Sequence, residues 1–499
     1  SAVLLKNDNN ILPLSRDTSI AVIGEFAKKP RFQGMGSSDV FPTKVDCAWE
    51  RIRDYTEFAR YVAGYDNTDP NETINYALIE EAVQLAKMSD VALIFCGLTE
   101  TSESEAFDRT DINLSAGHNA LVEAVSAANK NTVVMLTNGS PVSMPWLDQV
   151  SGILDCWLGG QAGASAAIDL VFGASSPSGK LAQTFPCQFE DVPSKKCFPG
   201  VNKQVVYQEG LNVGYRYYDS AKLNVLFPFG HGLSYSTFEL QNFSAILVAS
   251  SEQGVEVSLS LEIKNVGDVF AGEVVQCYVH SFASAVYRPE QELKAFQKVF
   301  LKPNEKVNVT MTLRTEAFSL WDVGTQDWII EGGDYEIRMG TSCRNIHFSK
   351  TISISSNQTC SAEAINLHPP LQHRQLEEEM NSMCEPSSCL NNSIDGSRLH
   401  KNSLLCEAQK TWLGRALRKT ALWTMNRNAD EVTKKCNEEM VDGVSFRAIV
   451  LLSQGYISYP ILELILHIMN GEFFSFLRKL FPTISSYLYQ KIFYRKNQV

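Results

Sequence analysis

Short apolar runs, closed by turn residues and separated by helical spacing, constrain this chain more than any other feature in it. Ile20-Ala-Val-Ile-Gly24, Val91-Ala-Leu-Ile-Phe-Cys96, Thr132-Val-Val-Met-Leu-Thr137 and Gly152-Ile-Leu-Asp-Cys-Trp-Leu158 show little polar/apolar alternation. Such runs, bounded by Gly97, Asn138-Gly-Ser-Pro141 and Gly159-Gly160, read as buried strands. Between them the period turns helical. Ile74, Leu78, Ala82 and Leu85 mark one helix from Thr73 to Met88, Leu121, Val122, Val125 and Ala128 a second, and Ala167, Leu170 and Val171 a third. Strands alternating with helices predict an α/β domain on a mostly parallel sheet covered on both faces. The Pro/Gly turn and edge strand of Pro177–Pro186 close it, giving a domain of residues 1–186. No Gly-x-Gly-x-x-Gly follows Ile20–Gly24, which argues against a dinucleotide fold, and no cofactor is expected.

The 499 residues suggest two to four domains. Residues 187–237 read as a linker with aromatic anchors, Tyr207–Tyr218 and Phe227–Tyr235, in which His231 is expected to be structural. From 238 to 355 the period becomes two, as in Val255, Val257, Leu259, Leu261 and Ile263, then Val307, Val309, Met311 and Leu313, then Tyr335, Ile337 and Met339. Regular turns between these runs predict an antiparallel β-sandwich. Residues 356–403, with Pro369-Pro370, Pro386 and Glu377-Glu-Glu379, read as a polar linker. Residues 404–499 read as a mainly helical extension, from the spacing of Leu413, Leu417 and Ala421, of Phe446, Ile449 and Leu452, and of Ile461, Leu464, Ile465 and Ile468, punctuated by Gly471 and Pro482. Helices packed on one another are the expected reading. Adsorption at a membrane surface is the alternative, because Phe473–Lys496 mixes aromatics with Arg478, Lys479, Lys491, Arg495 and Lys496. No stretch of 18 uncharged apolar residues occurs, so no transmembrane helix is expected.

Chemistry concentrates between Glu100 and Leu114. Glu100, Glu103, Glu105 and then Asp108-Arg109 follow the strand 91–96, at the kind of place where open α/β sheets gather ligand sites. A solvated acidic loop is the plain alternative. Gln33-Gly-Met-Gly-Ser-Ser-Asp-Val-Phe-Pro42 is glycine- and serine-rich and could equally be a flexible surface loop. A net charge of −12 argues against nucleic acid as a partner and is neutral toward a sugar. The 12 cysteines are scattered without Cys-x-x-Cys pairs, so neither a disulfide framework nor a metal site is expected.

Glu105-Ala-Phe-Asp108-Arg109, after Thr101-Ser102-Glu103, resembles the acid/base loop of glycoside hydrolase family 3, the β-glucosidase family, whose usual form is Glu-Gly-(Tyr/Phe)-Asp-Arg. Ala106 stands where glycine is usual. Gln33-Gly-Met-Gly-Ser-Ser38 resembles that family's loop over the barrel mouth, and Ala2–Ser15, Pro177–Pro186, Tyr207–Tyr218 and Phe227–Tyr235 resemble its strings in the same order. The resemblance covers residues 1–355, including a fibronectin III-like sandwich at 238–355. It implies a retaining, two-carboxylate hydrolysis of terminal non-reducing β-D-glucosyl residues. Glu105 would be the general acid/base, with Glu103 as the fallback. Ser37 would hydrogen-bond a sugar hydroxyl, Ser38 and Asp39 would brace their loop, and Asp108 and Arg109 would form an ion pair fixing the acidic loop. In that family the nucleophile is an aspartate of an N-terminal (β/α)8 barrel, whose motifs are not in this sequence. The barrel is therefore an expected partner domain, besides a β-glucoside or oligosaccharide substrate, and the chain is expected to be inactive alone. It opens on structure without a signal peptide, so an upstream region is expected. A non-hydrolytic carbohydrate-binding module and a membrane- or partner-associated scaffold remain the other classes.

Overall fold

The computed structural model describes residues 2–67, 73–100, 102–105, 108–198, 200, 205–251, 254–367, 398–427, 429, 431–452 and 457–480. The chain divides into two compact units, one of residues 1–99 with 109–389 and one of residues 100–108 with 390–499.

The first unit opens with β1 (Val3–Asn7), β2 (Ile20–Ile23), α1 (Ala48–Tyr55), β3 (Ala59–Val62), α2 (Tyr76–Lys87), β4 (Val91–Gly97), α3 (Ala116–Ala128), β5 (Thr132–Thr137), β6 (Gly152–Asp155) and α4 (Gly163–Val171). The six strands form one sheet in the order β1-β6-β5-β4-β2-β3. All neighbours are parallel except β1, which runs antiparallel to β6 at the edge. Every residue of β2, β4 and β6 is buried, as expected of strands covered on both faces. Each fully buried Leu, Ile or Val there contributes roughly 1.5–3 kcal/mol. Side-chain caps set two helix starts: Asn75 accepts from the Leu78 N–H before α2, and Ser115 from the His118 N–H before α3.

The structure departs from the sequence reading in detail. The buried stripe of α2 is Ile79, Ala82 and Ala86, one residue round from the stripe expected through Leu78 and Leu85. Strand β6 stops at Asp155 rather than Leu158, because Trp157 adopts a left-handed φ of 52° that no strand tolerates. Neither α1 nor β3 was expected. Cys197 is disulfide-bonded, which the scattered cysteine spacing did not indicate.

The segment after α4 contains β7 (Phe185–Pro186), α5 (Tyr215–Ser220) and β8 (Val225–Phe227), with β7 and β8 paired. Tyr215, Tyr217 and Tyr218 are buried and serve packing, whereas Tyr207 of the same string is exposed. His231 Nε2 lies 2.9 Å from the Leu5 carbonyl, its ring stacks on Phe227, and burial lowers its pKa.

The sandwich follows, with β9 (Phe238–Ser251), β10 (Gly254–Asn265), β11 (Ala271–Ser281), β12 (Glu292–Leu301), β13 (Lys306–Arg314), the hairpin β14 (Leu320–Asp322) and β15 (Asp327–Ile329), then β16 (Gly333–Ser342) and β17 (Asn345–Ile354). Sheets β13-β10-β9 and β12-β11-β16-β17 are antiparallel throughout. Val255, Val257, Leu259, Leu261 and Ile263 all point inward, as the period-two pattern requires, whereas Val307 at the start of β13 is exposed. Helix α6 (Ala362–Leu367) comes next, and most of the expected polar linker, 368–397, lies outside the described residues.

In the second unit, α7 (Trp412–Met425), α8 (Glu431–Gly443), α9 (Phe446–Leu452), α10 (Tyr459–Met469) and α11 (473–480) surround a small core. Leu405, Ala408, Val441, Phe446, Leu462 and Leu466 belong to that core. Gly471, at φ 72°, separates α10 from α11, and Pro482 lies outside the described residues.

Candidate active site

In the strand order β1-β6-β5-β4-β2-β3, the chain passes from β2 to β3 on one side and then to β4 on the other. The reversal lies between β2 and β4, and the crevice beyond the carboxyl ends of such strands is where open α/β sheets bind ligands. The two loops singled out in the sequence leave from these two strand ends. The Gln33–Pro42 loop follows β2, and the acidic loop follows β4.

Two glycines let the strand ends close up. A Cβ on Gly24, which has φ 113°, would stand 2.1 Å from the Phe95 carbonyl oxygen, and one on Gly97 would stand 1.8 Å from that of Thr137. Any larger residue would push neighbouring strands apart. Beneath them sits a braced aromatic cluster. Tyr65 donates to the Phe95 carbonyl at 2.8 Å and accepts from the Phe26 N–H at 3.1 Å. His118 Nδ1 lies 2.9 Å from the Gly97 carbonyl, and the His118 ring packs on Tyr65 and Phe26. Burial drives the Tyr65 pKa well above its ordinary value.

Arg31 joins the two loop bases. It is 6% exposed, and its Nη1 donates to the Leu98 carbonyl at 2.9 Å, tying the stem of one loop to the stem of the other. Gln33 closes its own loop through two hydrogen bonds to Val40, with Nε2 donating to the carbonyl at 3.2 Å and Oε1 accepting from the N–H at 3.1 Å. The sequence reading passed over this brace. Ser37, Ser38 and Asp39 are exposed on the loop so held. Beyond them Val40 and Phe41 are 65% and 99% exposed.

Glu105 is exposed at a turn of the acidic loop, Glu103 is half-buried, and Asp108 is exposed. Ala106 and Phe107 lie outside the described residues. Arg109 anchors the returning strand of the loop: its Nη1 donates to Ser140 Oγ at 2.9 Å and to the Pro141 carbonyl at 3.0 Å, in the turn after β5.

Behind these loops the strap from Asp155 to Gln161 holds the β2 loop from the other side. The Gly160 N–H donates to the Phe32 carbonyl and the Asp46 N–H to the Gln161 carbonyl, each at 2.8 Å. Asp155 Oδ1 accepts from the Trp157 N–H at 3.1 Å and so fixes its left-handed turn. Asp155 is fully buried and burial raises its pKa to about 7, against the lowering effect of the Trp157 N–H. Its Oδ2 and the neighbouring Asn138 Oδ1 are buried without a hydrogen-bond partner. A cavity of about 40 Å³ remains among Arg31, Phe32, Phe95, Met135 and Trp157. Small-ligand sites are usually several hundred Å³, so this gap is too small to hold one. Among the described residues no group of three or more His, Cys, Asp or Glu is placed to hold a metal.

A mostly parallel α/β sheet followed by a seven-stranded sandwich defines the architecture. Residues 2–235 match the glycosyl hydrolase family 3 C-terminal domain, and residues 273–343 match the fibronectin type III-like domain. A thermostable β-glucosidase B from Acetivibrio thermocellus is 45% identical over 360 residues, covering 71% of this chain and 47% of that protein. An exo-α-(1→6)-L-arabinopyranosidase from Bifidobacterium breve is 43% identical, covering 72% of this chain and 48% of that protein. The crystal structure of a family 3 β-glucosidase from Bifidobacterium adolescentis superposes with a TM-score of 0.67 at 43% identity, covering 71% of this chain and 51% of the other. Residues 2–235 thus carry the C-terminal domain of glycosyl hydrolase family 3. The chain spans about half the length of these relatives.

Proposed function

We propose that this chain supplies the acid/base half of a retaining β-glucosidase. The observation that carries the reading is the family match across residues 2–235, within which Glu105 lies on the loop leaving the carboxyl end of β4. Glu105 protonates the departing glycosidic oxygen and then, as carboxylate, takes a proton from the water that releases the sugar. Ser37 holds a sugar hydroxyl, Ser38 steadies its loop, and Glu103, Asp108 and Arg109 fix the acidic loop around Glu105. The nucleophilic aspartate belongs to a (β/α)8 barrel outside residues 1–499. Exposed Val40 and Phe41 offer the kind of apolar tip that a neighbouring domain covers. The test is hydrolysis of an aryl β-D-glucoside by residues 1–499 alone and by the same residues fused behind a family 3 barrel. Turnover only in the fusion, lost on Glu105→Gln, supports the reading; turnover by residues 1–499 alone refutes the division of labour.

A second substrate reading has its own support. The arabinopyranosidase and the glucosidase differ by only two percentage points in identity to this chain. An arabinopyranoside lacks the hydroxymethyl group of a glucoside, so comparing kcat/KM on the two aryl glycosides decides between them. A site built to hydrogen-bond a substrate hydroxyl rejects the analogue lacking it by about 10⁴-fold or more.

A further inference from the structure

The described C-terminal helices, from Trp412 on, lie outside both matched domains and expose aromatic side chains. We propose that helix α7 carries a cationic and aromatic face that docks on an anionic lipid bilayer surface. This inference does not rest on the hydrolase reading.

At 100° per residue, Trp412, Ala416, Lys419 and Trp423 fall in one stripe along α7, with Arg415 on its edge. The two tryptophans are 67% and 68% exposed, and three turns separate them, about 16 Å at 1.5 Å per residue. Arg427 follows just past the helix, its guanidinium 5.9 Å from the centre of the Trp423 ring. The opposite side of the helix is committed to the core. Gly414 is buried so closely that a Cβ there would stand 2.1 Å from the Ala408 carbonyl oxygen, and Leu413, Ala421 and Leu422 pack inward. Arg418, on that inner side, pairs with Asp442 at 2.6 Å. The outward stripe is therefore fixed in orientation by packing.

Charge selects the occupant. Residues 411–429 contain four Lys or Arg and no Asp or Glu, within a chain of net charge −12. At physiological ionic strength fields are screened beyond about 8 Å, so an anionic surface against α7 meets the charges of this helix and of α8 beside it, where Asp442 and Glu438 face the inner Arg418. Tryptophan alternating with cations along one stripe is suited to the headgroup level of a bilayer, where amphipathic rings and basic side chains are both favoured. Helix α11 repeats the composition. Phe473, Phe474 and Leu477 are 64%, 87% and 44% exposed, with Arg478 exposed beside them. No helix among the described residues is long and apolar enough to cross a membrane, so the contact is one of surface adsorption.

The experiment is co-sedimentation of the full chain with vesicles of phosphatidylcholine alone and of phosphatidylcholine with phosphatidylserine. Binding to the serine-lipid vesicles, weakened by salt and absent on phosphatidylcholine, is expected. Arg415→Gln/Lys419→Gln should weaken it on the order of fivefold for each cation removed. Trp412→Ala/Trp423→Ala should abolish it while leaving the far-UV circular dichroism unchanged, since both rings are exposed. Three results overturn the proposal. One is equal or no binding to the two vesicle types; another is capture by soluble poly-glutamate as strong as by vesicles and insensitive to the tryptophan pair. The third is a solution dimer that dissociates in the tryptophan variant.

Discussion

Asp155 carries an unfavourable burial that pH exposes. Its folded pKa of about 7 lies above the ordinary value of 3.8, so the unfolded chain loses this proton at lower pH than the folded one. Stability from this group is intact below pH about 4, falls as pH rises toward 7, and is then level. The loss amounts to about 4 kcal/mol at most, at 1.36 kcal/mol per pKa unit. In Asp155→Asn that loss disappears. Urea titrations at pH 5 and pH 8 should show the variant gaining stability on the wild type as pH rises; a pH-independent difference between the two would contradict this. Arg31 makes a different prediction. Replacing it by Met frees the Leu98 carbonyl from its tie to the β2 loop. A barrel-containing enzyme with this change should lose kcat/KM through both loops at once, with a fall of about tenfold or more. An unchanged kcat/KM would show that the two stems do not need each other.

The same logic applies to the strand ends and their loops. Gly97→Ala places a Cβ against the Thr137 carbonyl and should cost about 3 kcal/mol, read as a lowered urea midpoint, because β4 and β5 must separate. Gln33→Ala removes both hydrogen bonds that close the Ser37 loop. It should raise KM about tenfold with the melting temperature unchanged, which a merely structural brace would not do. The sequence made the central strands legible because continuous burial leaves an unbroken apolar run, as in Val91–Cys96. The sandwich was equally plain, since alternation along Val255–Ile263 has one explanation. Less was readable where local signals conflict. Strand β3, Ala-Arg-Tyr-Val, is too short and mixed to announce itself. The end of β6 is set by a left-handed Trp157 held by Asp155, a constraint invisible in an apolar Cys-Trp-Leu. Ser37 and Glu105 are site residues by the resemblance alone, and Gln33 belongs to one of its strings, though its tie to Val40 does not show in the sequence. Arg31, Tyr65 and His118 could not be singled out, because single polar residues acquire those partners only once the sheet has brought distant segments together.

For the molecule as a whole, length and chemistry point the same way. The chain covers about half of its relatives, and in the proposed reading its Glu105 needs a second carboxylate from elsewhere. Retaining hydrolysis needs the two about 5–5.5 Å apart, so the proposed barrel must bring its aspartate to the mouth of the β2 and β4 loops. The most direct measurement is kcat/KM for Glu105→Gln in the barrel-containing enzyme, taken on an alkyl β-glucoside and on a dinitrophenyl β-glucoside, because it reports the transfer of sugar to the enzyme. The account predicts a fall of about 10²–10⁴-fold on the alkyl substrate, whose poor leaving group needs a proton, and a much smaller fall on the dinitrophenyl substrate during sugar transfer to the enzyme. Equal, near-wild-type rates on both would contradict it.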